Sequence, residues 1–188
     1  MSDVLTRPLA VRHLEEGGRF TGYASVFHVR DGQADAVAPG AFARTLADAR
    51  KSGVWPKLLW QHNPSEPVGV IERLEEDAYG LRLEARLLLD VRRAREAYAL
   101  LKAGVIDSLS IGFEAVEARR DARTGTRILE EVRLWEISLV TFPANAAARV
   151  TDVKASDPWG LVLEGLRKAA AILRPSFSTV SPCKGASA

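Results

Sequence analysis

At 188 residues the chain is long enough for one domain with a hydrophobic core and a small appendage. With 47% hydrophobic and 27% charged residues it has an ordinary globular composition, and a net charge of only +2 gives no electrostatic reason to expect nucleic-acid binding. The one cysteine, Cys183, rules out a disulfide framework within the chain. The opening MSDVLTRPLAVRHLEE has no apolar signal core and no run reaches membrane-spanning length, so a soluble intracellular protein is expected.

Residues 1–17 read as a lead-in. GRFTGYASVF (18–27) alternates aromatic and small residues, the pattern of a strand. HVRDGQADAVAPG (28–40) is rich in turn formers, with Asp31-Gly32 the strongest signal. AFARTLADARKSG (41–53) predicts a short helix with Phe42 and Leu46 on one face and Gly53 as its stop. VWPKLLWQH (54–62) predicts a strand that carries Leu58, Trp60 and His62 on one side and runs into a turn at NPSEP. PVGVIERLEED (67–77) and YGLRLEARLLLD (79–90) predict two strands joined at Asp77-Ala78. In the second, Leu81, Leu83 and Ala85 alternate with Arg82, Glu84 and Arg86.

VRRAREAYALLKAG (91–104) predicts a helix capped by Asp90 and stopped by Gly104, with Val91, Ala94, Tyr98 and Leu101 sharing a face. DSLSIGFEAVEARR (107–120) and ILEEVRLWEISLVTF (128–142) predict strands joined by a hairpin tip around Thr124-Gly125. The arginine-rich tip reads as a solvated loop, with contact to an acidic surface or nucleic acid as the lesser reading. A last helix is expected from Asp157 and Pro158, with an apolar stripe from Trp159 to Leu173, before a tail of flexible composition.

The chemistry on offer is narrow. There are three histidines, His13, His28 and His62. The absence of HExxH, CxxC and any Cys/His cluster argues against a metal site, and the absence of GxGxxG and a P-loop argues against nucleotide chemistry. No GxSxG elbow occurs, which argues against an α/β-hydrolase. What remains is a serine with a histidine base and a third group to orient it. His62 stands at a strand end, where its plainer reading is a bond to a loop carbonyl. Ser108, Ser110 and Gly112 share one strand face, which can equally be a locally satisfied polar patch. Glu136 lies in the apolar LWEISLVTF, where a carboxylate needs a partner. A histidine would serve, and so would Arg133.

Taken in order and spacing, LLWQHNPSEPVGVI, GLRLEARLL, LLKAGVIDSLSIGF and LWEISLVTFPANAAA resemble the prohead maturation proteases of tailed bacteriophages, as does the earlier FTGYASVF…APGAF. The similarity spans about residues 20–150. It implies a serine endopeptidase related to herpesvirus assemblin: a β-rich α+β fold with a closed β-barrel flanked by helices, plus the C-terminal helix and flexible tail. The implied domains are a lead-in at 1–17, a protease domain at 18–152, and a helix and tail at 153–188.

By motif, His62 matches the base, Ser110 the nucleophile, and Glu136 takes the third place. The assemblin relatives use a second histidine there, but His13 and His28 lie in no matching motif. No cofactor and no metal are expected. The implied substrate is the major capsid protein with its scaffolding segment, cut inside an assembling prohead in the host cytoplasm, together with self-cleavage in residues 151–188. Further implied partners are a portal protein and a second copy of the chain, the latter through the helix at 157–173, with no membrane and no specific nucleic acid. The alternative is a catalytically silent assembly module of the same fold.

Overall fold

The computed structural model describes residues 17–152, all of which lie within the first of two compact units of the chain. The expected C-terminal helix and tail, His13 and Cys183 lie outside the described residues. Eight strands and two helices follow in the order β1 (Arg19–Val26), β2 (Asp35–Val37), α1 (Ala43–Ser52), β3 (Lys57–Trp60), β4 (Asn63–Glu76), β5 (Gly80–Leu87), α2 (Arg92–Lys102), β6 (Ser108–Arg120), β7 (Arg127–Val140) and β8 (Val150–Asp152). All the strands belong to one sheet, ordered β2-β7-β3-β4-β5-β1-β8, with β6 on the other side of β7.

The long antiparallel ladders follow from the alternation in the sequence. In β5 the leucines and Ala85 are buried and the intervening charges are half-buried. Those charges pair across strands, as in Arg86–Glu72 and Arg82–Glu75. The inward side chains, among them Phe20, Leu58, Leu74, Leu83, Leu109 and Ile137, form one core cluster. Such a cluster is the dominant source of stability in a domain of this size.

Strand β7 organises the site. One side pairs with β6 along nearly its whole length. The other side pairs in parallel with β2 at Arg127–Leu129 and with β3 at Glu136–Leu139. Between those two stretches α1 and its lead-in take over the bonding. The Val132 amide donates to the Ala41 carbonyl, the Thr45 hydroxyl donates to the Val132 carbonyl, and the Leu134 amide donates back to Thr45 Oγ1. The helix therefore substitutes for a missing strand segment and leaves few backbone groups unpaired in the core.

The helices stop and start for local reasons. Gly53 adopts φ 73° and closes α1 through its amide to Ala49 O, as the sequence leads one to expect. The cap of α2 is Val91, with no side-chain bond, rather than Asp90. The face of α2 that is buried is Ala94, Ala97 and Leu101, while Val91 is exposed.

The closed barrel expected from the resemblance is, over the described residues, a curled half-barrel sheet. Its ends touch at one narrow seam, an isolated bridge between Ser108 and Arg149, with Leu109 N donating to Ala148 O and Val150 N to Asp107 O. The remainder of β6 keeps β7 as its one strand partner. No helix among the described residues is long and apolar enough to cross a membrane.

Candidate active site

His62 is not on a strand. Strand β3 ends at Trp60, and Trp60 pairs directly with Asn63 across a two-residue turn. Both turn residues are left-handed, Gln61 at φ 52° and His62 at φ 58°. This is the backbone signature of a type I′ hairpin, which favours Asn and Gly for steric reasons. Here neither is present, so the turn carries strain that the surroundings must hold. NPSEP, expected as a turn, is the start of β4.

Two clamps hold this turn. Gln61 donates its side-chain amide to Thr141 Oγ1 at 2.8 Å and accepts from the Thr141 backbone N–H at 3.3 Å, while its own backbone N–H donates to Leu139 O. The His62 backbone N–H donates to Ser138 Oγ at 3.0 Å. Both clamps attach to the end of β7, the strand that carries Glu136.

The imidazole Nδ1 and Glu136 Oε1 lie 2.6 Å apart. An ionised carboxylate can only accept, so Nδ1 carries the proton and Nε2 is left with its lone pair. The imidazole is 44% exposed and the carboxylate 12%. The hydrogen bond to Glu136, reinforced by its charge, raises the His62 pKa above the usual 6.5, against an opposing push from partial burial. Glu136 Oε2 accepts from Ser138 Oγ at 2.7 Å. Arg133, the other partner open to Glu136 in the sequence, pairs with Glu114 instead.

Gly112 faces Glu136 across the β6–β7 ladder. A Cβ on Gly112 would lie 2.2 Å from Glu136 Oε1 and 2.9 Å from its Cδ. The glycine is therefore the space in which the carboxylate sits. Gly112→Ala is expected to push the carboxylate off His62 while the strands remain paired, because the obstructing atoms belong to a side chain. The expected outcome is a loss of hydrolytic rate on the order of 10²-fold with a cooperative melt retained, checked by rate assays beside circular dichroism.

The two serines differ in their surroundings. Ser108 lies at the seam, and its hydroxyl donates to Asp107 Oδ1 at 2.8 Å, with Asp107 in turn paired to Arg149. Ser110 lies opposite Ser138 in the β6–β7 register and is 5% exposed. It opens on a cleft of about 720 Å³ that His62 and Gly112 also line. The turn at 142–145 forms another part of the wall, with Phe142 89% exposed. The Asn145 side chain is committed to the turn: its amide donates to Val26 O and its Oδ1 accepts from Ala147 N–H.

His28 lines a separate groove with Arg119 and Asp121. Ser138, fully buried, was not singled out by sequence reasoning. Its signal is the spacing Glu-x-Ser, which puts its side chain on the same strand face as the carboxylate.

A nearly buried serine sharing one cleft with a carboxylate-held imidazole brings together the kinds of group that nucleophilic acyl-transfer enzymes use. The sequence model for the caudovirus prohead serine protease matches residues 7–158, and the chain belongs to that family. It is 33% identical over 142 residues to the prohead protease of Enterobacteria phage HK97, covering 74% of this chain and 62% of that protein. It is also 37% identical over 109 residues to a capsid polyprotein of Pseudomonas phage PAJU2, covering 53% of this chain and 16% of the polyprotein. The chain thus spans less than two thirds of the length of these relatives. Among solved structures, the capsid assembly protease of bacteriophage T4 superimposes with a TM-score of 0.52 at 13% identity, covering 71% of this chain and 81% of that one, a likeness of fold.

Proposed function

We propose that this protein is a serine endopeptidase that cuts the scaffolding segment from a major capsid protein inside an assembling prohead. The observation that carries the chemistry is the 2.6 Å contact between His62 Nδ1 and Glu136 Oε1 in the cleft that Ser110 lines. In this reading Nε2 of His62 takes the Ser110 proton as Oγ attacks the scissile carbonyl, and later returns it to the leaving amine. Glu136 holds the tautomer and stabilises the imidazolium. Backbone amides must supply the oxyanion donors; losing one such donor typically costs about 3 kcal/mol. Water then attacks the acyl-serine with His62 again as base. The capsid substrate is supported by the family and by the likeness to a capsid polyprotein.

A fluorophosphonate tests the nucleophile without knowledge of the cleavage site. Oγ attacks phosphorus, fluoride leaves, and the proton goes to His62. The expected adduct is on Ser110 in the folded protein and is absent after unfolding, read by peptide mapping. The labelling rate is expected to rise with pH, since only neutral His62 acts as a base. Its midpoint is expected above 6.5 because Glu136 holds the proton on. An adduct on Ser108, or none at all, contradicts the assignment.

A further inference from the structure

We infer that Ser138 is a positioning residue that locks the His62–Glu136 pair in register, and is not merely a packed strand serine. Its place follows from two bonds made by one buried hydroxyl. The hydroxyl proton goes to Glu136 Oε2 at 2.7 Å, and its oxygen accepts the His62 backbone N–H at 3.0 Å. Ser138 is 0% exposed, so no water competes for either bond.

The consequence is geometric. A glutamate side chain has three rotatable bonds and does not fix its own carboxylate. Here Oε1 aims at Nδ1 because Oε2 is held from behind by Ser138. The imidazole in turn hangs from a left-handed residue in a strained turn. The same hydroxyl that anchors the acceptor also ties down the backbone of the donor. Ser138 thus links base and orienting group by a short route through one side chain. Its fixed position comes from the sheet: it is paired with Leu59 of β3 on one side and with Ser110 of β6 on the other. One sheet residue is therefore in register with the proposed nucleophile and bonded to both other members of the site.

The Gln61–Thr141 clamp holds the same turn without touching the carboxylate. It provides the comparison that separates positioning from simple support. Loosening the turn through Thr141→Val removes stability but leaves Glu136 anchored. Removing the Ser138 hydroxyl frees the carboxylate as well.

The inference rests on the proposed role of His62 and Glu136, and its primary readout does not depend on cleavage. The C2 proton of His62 is followed by NMR as a function of pH in the whole protein, for the wild type, Ser138→Ala and Thr141→Val. In the wild type the midpoint is expected above 6.5. In Ser138→Ala it is expected to fall back toward that ordinary value, while Thr141→Val keeps the wild-type midpoint. If Ser138→Ala does not fold, Ser138→Cys, which fills the site with a slightly larger group that donates only weakly, is read the same way. Where turnover is measurable, kcat of the Ser138 variant is expected to fall by roughly tenfold to a hundredfold with KM kept. A folded Ser138 variant with an unshifted His62 midpoint and unchanged kcat overturns the inference. Failure of Ser110 to react with a fluorophosphonate overturns the proposed function but leaves the His62 titration to decide the role of Ser138.

Discussion

Ser110→Ala is expected to remove capsid cleavage almost completely and to leave the fold as it is. In the proposed mechanism this hydroxyl is the attacking group, and loss of the nucleophile in a serine hydrolase lowers kcat by on the order of 10⁶-fold. The structural change is one oxygen at a 5%-exposed position bordering the cleft, so stability should move by about 1 kcal/mol or less. Ser108→Ala is the matched control two residues away. It breaks a bond to Asp107 at the seam where β6 meets Arg149. Its effect should appear in the melting temperature, at about 1 kcal/mol, with most activity retained. Cleavage rates and thermal melts of the two variants together decide which serine reacts. If Ser108→Ala is inactive and Ser110→Ala active, the assignment is reversed.

Glu136→Gln is the second large effect. The amide keeps the shape of the carboxylate but changes what Ser138 and His62 face. Whichever way the amide lies, its NH2 replaces an acceptor. Turned toward Ser138, it aims a donor at an oxygen that already accepts the His62 backbone N–H. Turned toward His62, it faces Nδ1–H and drives the proton to Nε2, the wrong tautomer for a base. A loss of at least tenfold, and up to about 10⁴-fold, in cleavage rate is expected. His28→Ala should be close to neutral, since His28 lines a different groove. Normal cleavage by Glu136→Gln together with an inactive His28→Ala would move the third role to His28.

With His62 as the proposed base, activity and stability are expected to respond oppositely to pH. A histidine whose folded pKa is raised stabilises the fold fully below the unfolded value near 6.5, and loses that contribution as pH rises through the folded value. The neutral form of His62 that the proposed mechanism needs as a base appears over that same upper range. The enzyme is thus expected to gain rate as it gives up this small increment of stability.

The long elements were legible because each has enough residues to show its period. Strand β5 alternates over eight residues and α2 repeats its small apolar positions over three turns. Strands β2 and β8 have three residues each, too few to display alternation, and they exist because β7 and β1 offer them partners. The turn at Gln61-His62 lacks the Asn-Gly signal because tertiary bonds from Thr141 and Ser138, rather than local preference, hold it left-handed. The strand expectation for His62 failed for that reason, while the structure brings the residue into contact with Glu136. Gly112 shows in the sequence only as a glycine on the face of Ser108 and Ser110, and what fills the space beside it, the Glu136 carboxylate, comes from the neighbouring strand and is visible only in the fold.

The most direct test of the central claim is the intact mass of both chains after co-expression with the major capsid protein. The account predicts a shortened capsid protein with the wild type and a full-length one with Ser110→Ala, both forms of the protein being equally well folded. A full-length capsid protein beside folded wild type, or cleavage that persists in Ser110→Ala, would contradict it.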